Sequence, residues 1–108
     1  VARTAAIREG TISRNAEARH PRTAIGVSQD RRTVWLYVVD GRATTSVGMT
    51  TSELADAVRA LGAWDALNFD GGGSTTLVID GQVINKPTDA TGEREVGNAL
   101  LVRERIRR

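Results

Sequence analysis

The run from Ala66 to Ile79, Ala-Leu-Asn-Phe-Asp-Gly-Gly-Gly-Ser-Thr-Thr-Leu-Val-Ile, restricts this chain more than any other stretch. Three glycines in a row forfeit backbone entropy on folding and offer no side chain to pack. A domain keeps them where the backbone needs positive φ or where another group must come close. A plain turn needs only one or two. Here an apolar, strand-like stretch leads to the carboxylate of Asp70, and the hydroxyls of Ser74, Thr75 and Thr76 follow. The run therefore reads as a site at the mouth of a sheet, with the amides of Gly71, Gly72 and Gly73 placed to form an anion-binding nest. It is not a nucleotide loop. A P-loop or a dinucleotide fingerprint opens a helix, the former with a Gly-Lys-Ser/Thr signature, whereas this run lacks the lysine and continues into a strand-like segment.

With 108 residues the chain is read as a single domain, 1–108, with one modest core. Its aromatic residues are Trp35, Tyr37, Trp64 and Phe69, so aliphatic side chains must fill that core. There is no cysteine, which excludes disulfides and thiolate metal sites and leaves the redox compartment undetermined. With His20 as the one histidine, no zinc site is expected, and no residue is assigned to a metal or cofactor; metal dependence is not decided by the residues. Lys86 is the sole lysine, so the basic side of the charge balance is almost all arginine, which suits two-pronged recognition of phosphate or carboxylate. The arginines are scattered among acids, with one dense cluster at Arg103–Arg108, which argues against a nucleic-acid binder. No stretch has the length of a membrane span.

Taken in order, Thr4–Ile7 and Thr11–Ser13 flank Glu9-Gly10 as a short hairpin, and residues 14–20 are a loop. Arg22–Val27 is a strand. Thr33–Val39 is the most strand-like run, apolar on both faces, and is expected to be a central strand covered on each side. Thr44–Val47 is a brief strand. Thr50 and Glu53 have capping-box spacing, and Leu54, Ala57, Val58 and Leu61 repeat at one-face helical intervals up to Gly62, a terminating C′ glycine. Ala66–Asp70 is a strand. Thr75–Ile79 pairs with Gln82–Asn85 across Asp80-Gly81, a strong hairpin signal. Lys86–Glu95 is a loop and Val96–Val102 a last strand. Seven or eight short strands and one main helix give an α+β fold with a mostly antiparallel (mixed) sheet on which the helix packs.

Polar groups gather at the strand ends, where loops carry function. Asp70 and Glu93 form the best carboxylate pair, because two carboxylates facing a sugar can divide nucleophile, base and acid duties. The competing reading is that Asp70 caps the glycine turn through local amides and that Glu93 is a solvated loop residue. Arg22, Arg42 or Arg94 can complete a phosphate site with paired hydrogen bonds. His20, in a loop beside a proline, reads as a surface residue.

Read together, several segments resemble the phosphodiester glycosidase family. They are His20-Pro21-Arg22-Thr23-Ala24-Ile25-Gly26, Asp40-Gly41-Arg42, Ser46-Val47-Gly48-Met49-Thr50, Leu67 to Thr75, Asn85-Lys86-Pro87, and Gly92 to Leu100. The match runs from about His20 to Val102. The resemblance implies hydrolysis of a sugar-1-phosphodiester, with Asp70, Glu93, Arg22 and Asn98 as catalytic residues. It implies Ser74, Thr75 and Arg94 as substrate-binding residues, to which the reading of the residues adds Arg42, Gly71, Gly72 and Gly73. The partner it implies is a glycosyl phosphodiester or cell-envelope carbohydrate, and the location it favours is secreted or envelope-associated. The family's domain extends further upstream through an Asn-Gly-Gly segment not found here, so the chain is expected to be the C-terminal portion of such a domain. If the upstream part completes the cleft, the alternative is a non-catalytic carbohydrate- or phosphate-binding module.

Overall fold

The computed structural model describes residues 17–105; the hairpin expected over Thr4–Ser13 lies outside them. Strand β1 (Arg22–Val27) is central in a three-stranded sheet of order β2-β1-β3, with β2 (Val34–Val39) and β3 (Asp65–Asn68) both antiparallel to it. Helix α1 (Thr51–Ala60) joins β2 to β3 and packs on β1. A single 3-10 turn, Gly72–Ser74, follows β3. A small hairpin, β4 (Val78–Ile79) and β5 (Gln82–Val83), completes an α+β arrangement of short antiparallel strands and one helix.

The helix forms where its local signals place it. Thr50 accepts from the Glu53 amide at 3.1 Å, and Glu53 reaches back to the Thr50 amide at 3.0 Å, a complete capping box. Leu54 and Val58 are the buried members of its stripe, and Gly62, at φ +110°, ends it. The helix can lie close because β1 offers Ala24 and Gly26 on that face. A Cβ at Gly26 would stand 2.8 Å from Val58 Cγ1 and 2.9 Å from the Ala63 Cβ. Ala24, Leu54 and Val58 are the buried aliphatic core, with Tyr37 and Ala63 packed against it.

Several strand expectations need correction. The Thr33–Val39 run begins at Val34 and is an edge strand, since the small residues that admit the helix belong to β1. Its second face is left open, with Val34 and Leu36 exposed. Thr44–Val47 is not a strand. It folds back locally, with the Ala43 amide donating to the Ser46 carbonyl and Ser46 Oγ donating to the Asp40 carbonyl. The strand expected over Ala66–Asp70 is Asp65–Asn68, and the hairpin strands shrink to two residues each around Asp80 and Gly81, both at positive φ. Val96–Val102 pairs with no strand among the described residues, which hold five strands rather than seven or eight.

Candidate active site

The sheet directs three segments to one end: the start of β1, the end of β2 and the end of β3. There the backbone of His20-Pro21-Arg22 acts as a hub. His20 and Met49 exchange two backbone hydrogen bonds, of 3.2 and 3.0 Å, and the Gly72 amide donates to the Pro21 carbonyl at 3.0 Å. Glycines from two separate loops, Gly41 and Gly48 between β2 and α1 and Gly71 after β3, press on this hub so closely that a Cβ at any of them would overlap its backbone. Close approach is what all three supply, and Gly48, at φ +86°, adds a left-handed turn.

A cleft of about 690 Å³ opens beside the hub. Asp70, Ser74, Glu93, Arg94 and Asn98 all line it, together with apolar groups such as Leu36, Val38 and Phe69. Five residues expected at the site from two distant stretches thus share one cavity. Asp70 is exposed, and its Oδ1 accepts from the Gly71 amide at 3.0 Å, so the local capping contact exists alongside the cleft position. The amides of Gly71 and Gly72 are therefore directed at Asp70 and Pro21.

The other expected residues lie around the cleft rather than in its lining. Arg22 is buried, 7% exposed; its Nε donates to the Met49 carbonyl and its Nη2 to the Ala18 carbonyl, both at 2.9 Å. Burial lowers its pKa. Thr75 is 1% exposed and shares a 3.4 Å hydroxyl contact with Thr23. Arg42, held at φ +54°, runs its guanidinium past Gly72 and donates from Nη2 toward His20 Nδ1 at 3.3 Å. Gly73 is buried under the Asp89–Arg94 ion pair, which occupies the position a side chain would take.

That ion pair is two-pronged: Arg94 Nε to Asp89 Oδ2 at 2.7 Å and Arg94 Nη2 to Asp89 Oδ1 at 2.9 Å. The Arg94 bond holds the Asp89 carboxyl below its usual range, and Asp89, with a smaller contribution from Asp70, raises the pKa of Arg94. A guanidinium has five N–H donors, so two spent on Asp89 leave three for another anion. Asp89 was visible in the sequence only as one turn former among several. Its signal was the Asp-x-x-Gly turn, in which the Gly92 amide donates to the Asp89 carbonyl at 2.8 Å and aims Asp89 at Arg94. His20, read as a surface residue, is partly exposed and faces Arg42. Desolvation, then Arg42 and Arg22, lower its pKa, which favours the neutral ring. The hydroxyl of Thr76, on the cleft wall, is buried without a hydrogen-bond partner among the described residues.

The sequence profile of the phosphodiester glycosidase family matches residues 2–103. The chain belongs to the phosphodiester glycosidase family. Among its relatives is mouse N-acetylglucosamine-1-phosphodiester alpha-N-acetylglucosaminidase, 32% identical over 101 residues, 88% of this chain and 19% of the mouse protein. An uncharacterised SPbeta prophage protein of Bacillus subtilis, YomE, is 36% identical over 84 residues, 78% of this chain and 13% of its own. Of solved structures, a candidate exported protein from Burkholderia pseudomallei superposes with a TM-score of 0.69 at 48% identity, covering 73% of this chain and 15% of the other. The zebrafish N-acetylglucosamine-1-phosphodiester alpha-N-acetylglucosaminidase catalytic domain, auto-inhibited by its pro-peptide, superposes with a TM-score of 0.60 at 31% identity, covering 68% and 24%. The chain spans less than a fifth of the length of the curated relatives it matches.

Proposed function

We propose that the cleft hydrolyses the bond between the anomeric carbon of a sugar and the oxygen of a phosphodiester. One observation carries the reading: Asp70 and Glu93, twenty-three positions apart, line the same cavity as Arg94, Ser74 and Asn98. The sugar would sit against the apolar wall and the phosphodiester against Arg94, which its bond to Asp89 holds in place. Either one carboxylate attacks the anomeric carbon and water then cleaves the glycosyl ester so formed, or it draws a proton from water that attacks directly; in both, the bond from the anomeric carbon to the phosphate oxygen breaks and the phosphate monoester leaves as an anion. That leaving group demands little proton donation, so guanidinium stabilisation supplies much of the rate gain, about 10²–10³-fold per contact. Asn98 and Ser74 orient the sugar hydroxyls and phosphate oxygens. With the amides of Gly71 and Gly72 occupied, the anion rests on arginine more than on the turn. Arg22 and Thr75 shape the site from beneath, and Arg42 flanks the phosphate beside Gly72. Family analogy also favours an exported protein acting on cell-envelope carbohydrate.

A chromogenic sugar-1-phosphodiester tests this. Asp70→Asn and Glu93→Gln are each expected to lower turnover at least about 10²-fold while leaving the thermal transition in place. Unchanged turnover in either variant removes that carboxylate from the mechanism. The small share of its relatives' length that this chain spans favours a second reading, a carbohydrate- or phosphate-binding module. Saturable binding of a glycosyl phosphate with no product at any enzyme concentration would select it.

A further inference from the structure

We propose, resting on the glycosidase reading of the cleft, that His20 is a positioning residue: its Nδ1 holds the Arg42 guanidinium over Gly72, where that charge meets the phosphodiester. Two side chains from separate loops make the contact, and each is fixed from behind. His20 Nδ1 lies 3.3 Å from Arg42 Nη2, and Arg42 Nη1 lies 3.5 Å from Thr88 Oγ1. The His20 backbone is clamped, since it exchanges two hydrogen bonds with Met49 and touches Gly48, where a Cβ would overlap it. Arg42 keeps φ +54°, a left-handed backbone that an arginine enters at a cost. Its loop is closed by the bonds from Ser46 Oγ to the Asp40 carbonyl and from the Ala43 amide to the Ser46 carbonyl.

A guanidinium donates hydrogen bonds and accepts none, so this contact is a hydrogen bond only when Nδ1 carries its lone pair and the ring proton sits on Nε2. Fixing the long arginine side chain costs entropy that a partner must offset. A carboxylate does so and cancels much of the charge, as Asp89 does for Arg94. A neutral imidazole fixes the direction and leaves the charge for the substrate. The glycine run sets that direction. A Cβ at Gly72 would stand 3.1 Å from Arg42 Nη2, and at Gly73 it would meet Arg94 and Asp89. The two guanidiniums therefore lie against successive glycines, and Asp89 feels both, that of Arg94 first. Since Arg94 lines the cleft, Arg42 brings a second positive charge to the same rim. Protonation of His20 would remove the acceptor and set a third cation beside Arg42 and Arg22, the charged groups that face the ring among the described residues. Substrate affinity should thus fall on acidification below pH 6.5.

The test uses the whole chain and the chromogenic sugar-1-phosphodiester. His20→Phe keeps a flat ring without the acceptor and should lower kcat/KM about tenfold, mostly through KM. His20→Asn, whose Oδ1 can stand in for Nδ1, should recover most of the loss. On an Arg42→Ala background His20→Phe should change nothing further. Between pH 7 and 5 the kcat/KM of the parent should fall more than that of His20→Asn, which does not titrate. In the chain without substrate, nitrogen-15 shifts at pH 8 should show a bare Nδ1, and Arg42→Ala should raise the pKa of the ring. An unchanged His20→Phe, an equal loss on both backgrounds, or a proton on Nδ1 overturns the proposal and leaves the glycosidase reading standing. A parent without turnover removes the hydrolytic reading instead, and the same pattern is then expected in calorimetric binding of the sugar-1-phosphodiester. There, a parent that binds none, or a His20→Phe chain that binds as the parent does, overturns the proposal.

Discussion

Gly71 and Gly73 lie two residues apart and do different things. A Cβ at Gly71 would stand 2.6 Å from the Pro21 carbonyl, which is backbone and cannot swing aside. At Gly73 it would meet the ends of the Asp89 and Arg94 side chains, which can. Gly71→Ala should therefore cost about 2–3 kcal/mol, read as a lowered urea midpoint. Gly73→Ala should cost less than half of that but weaken glycosyl phosphate binding about tenfold by displacing Arg94. Equal stability losses would contradict this division. His20 supplies a pH dependence. Its folded pKa lies below the ordinary 6.5, so as pH falls through that value the unfolded chain takes up a proton that the folded one refuses. Stability contributed by the neutral ring is thus present above the unfolded value and declines on acidification until the lowered folded pKa is reached. Thermal midpoints between pH 8 and 5 should fall more steeply for the parent chain than for His20→Gln. Parallel curves would show that the ring does not couple to folding. The glycine run stood out from composition alone, but what each glycine touches comes from loops remote in sequence.

The elements differ in how much of their definition is local. Helix α1 was legible to its caps because a capping box and a C′ glycine act within a few residues, and Thr50→Ala should cost about 1 kcal/mol in equilibrium unfolding. The β4–β5 hairpin was legible as a turn through Asp80-Gly81, but its place depends on Asn85. That side chain accepts from the Leu77 amide at 2.8 Å and donates to the Thr75 carbonyl at 2.8 Å and to Asp40 Oδ1 at 3.1 Å. Asp40 Oδ1 also accepts from the Lys86 amide at 3.0 Å, so the end of β2 and the hairpin are joined through two side chains. Asn85→Ala strands three partners at once and should cost about 2–3 kcal/mol. A loss under 1 kcal/mol, by the same measurement, would mean that water takes over the clip. The position of β2 was not legible. An apolar run on both faces fits a central strand, and only the pairing of β1 with both neighbours puts β2 at the edge.

At the scale of the molecule the chain buries little. Its radius of gyration is 14.7 Å, against about 13 Å for a compact domain of this length. Leu67, Val78, Ile79 and Leu101 are all about half exposed or more. A hydrophobic dye should therefore bind the native chain at neutral pH without denaturant, and a chain that binds none would have to cover these residues in solution. The sequence by itself determined whatever is settled within a few residues: the helix and its caps, the Asp-Gly turn, the β1 strand, and the motif series that marks the family. The tertiary structure decided which strand is central, which glycines are contact points, that Asp89 holds Arg94, and that Asp70 and Glu93 meet in one cleft. Caps and turns draw their energy from neighbours along the chain. Strand order and a shared cavity depend on contacts between segments far apart, which composition and spacing do not encode.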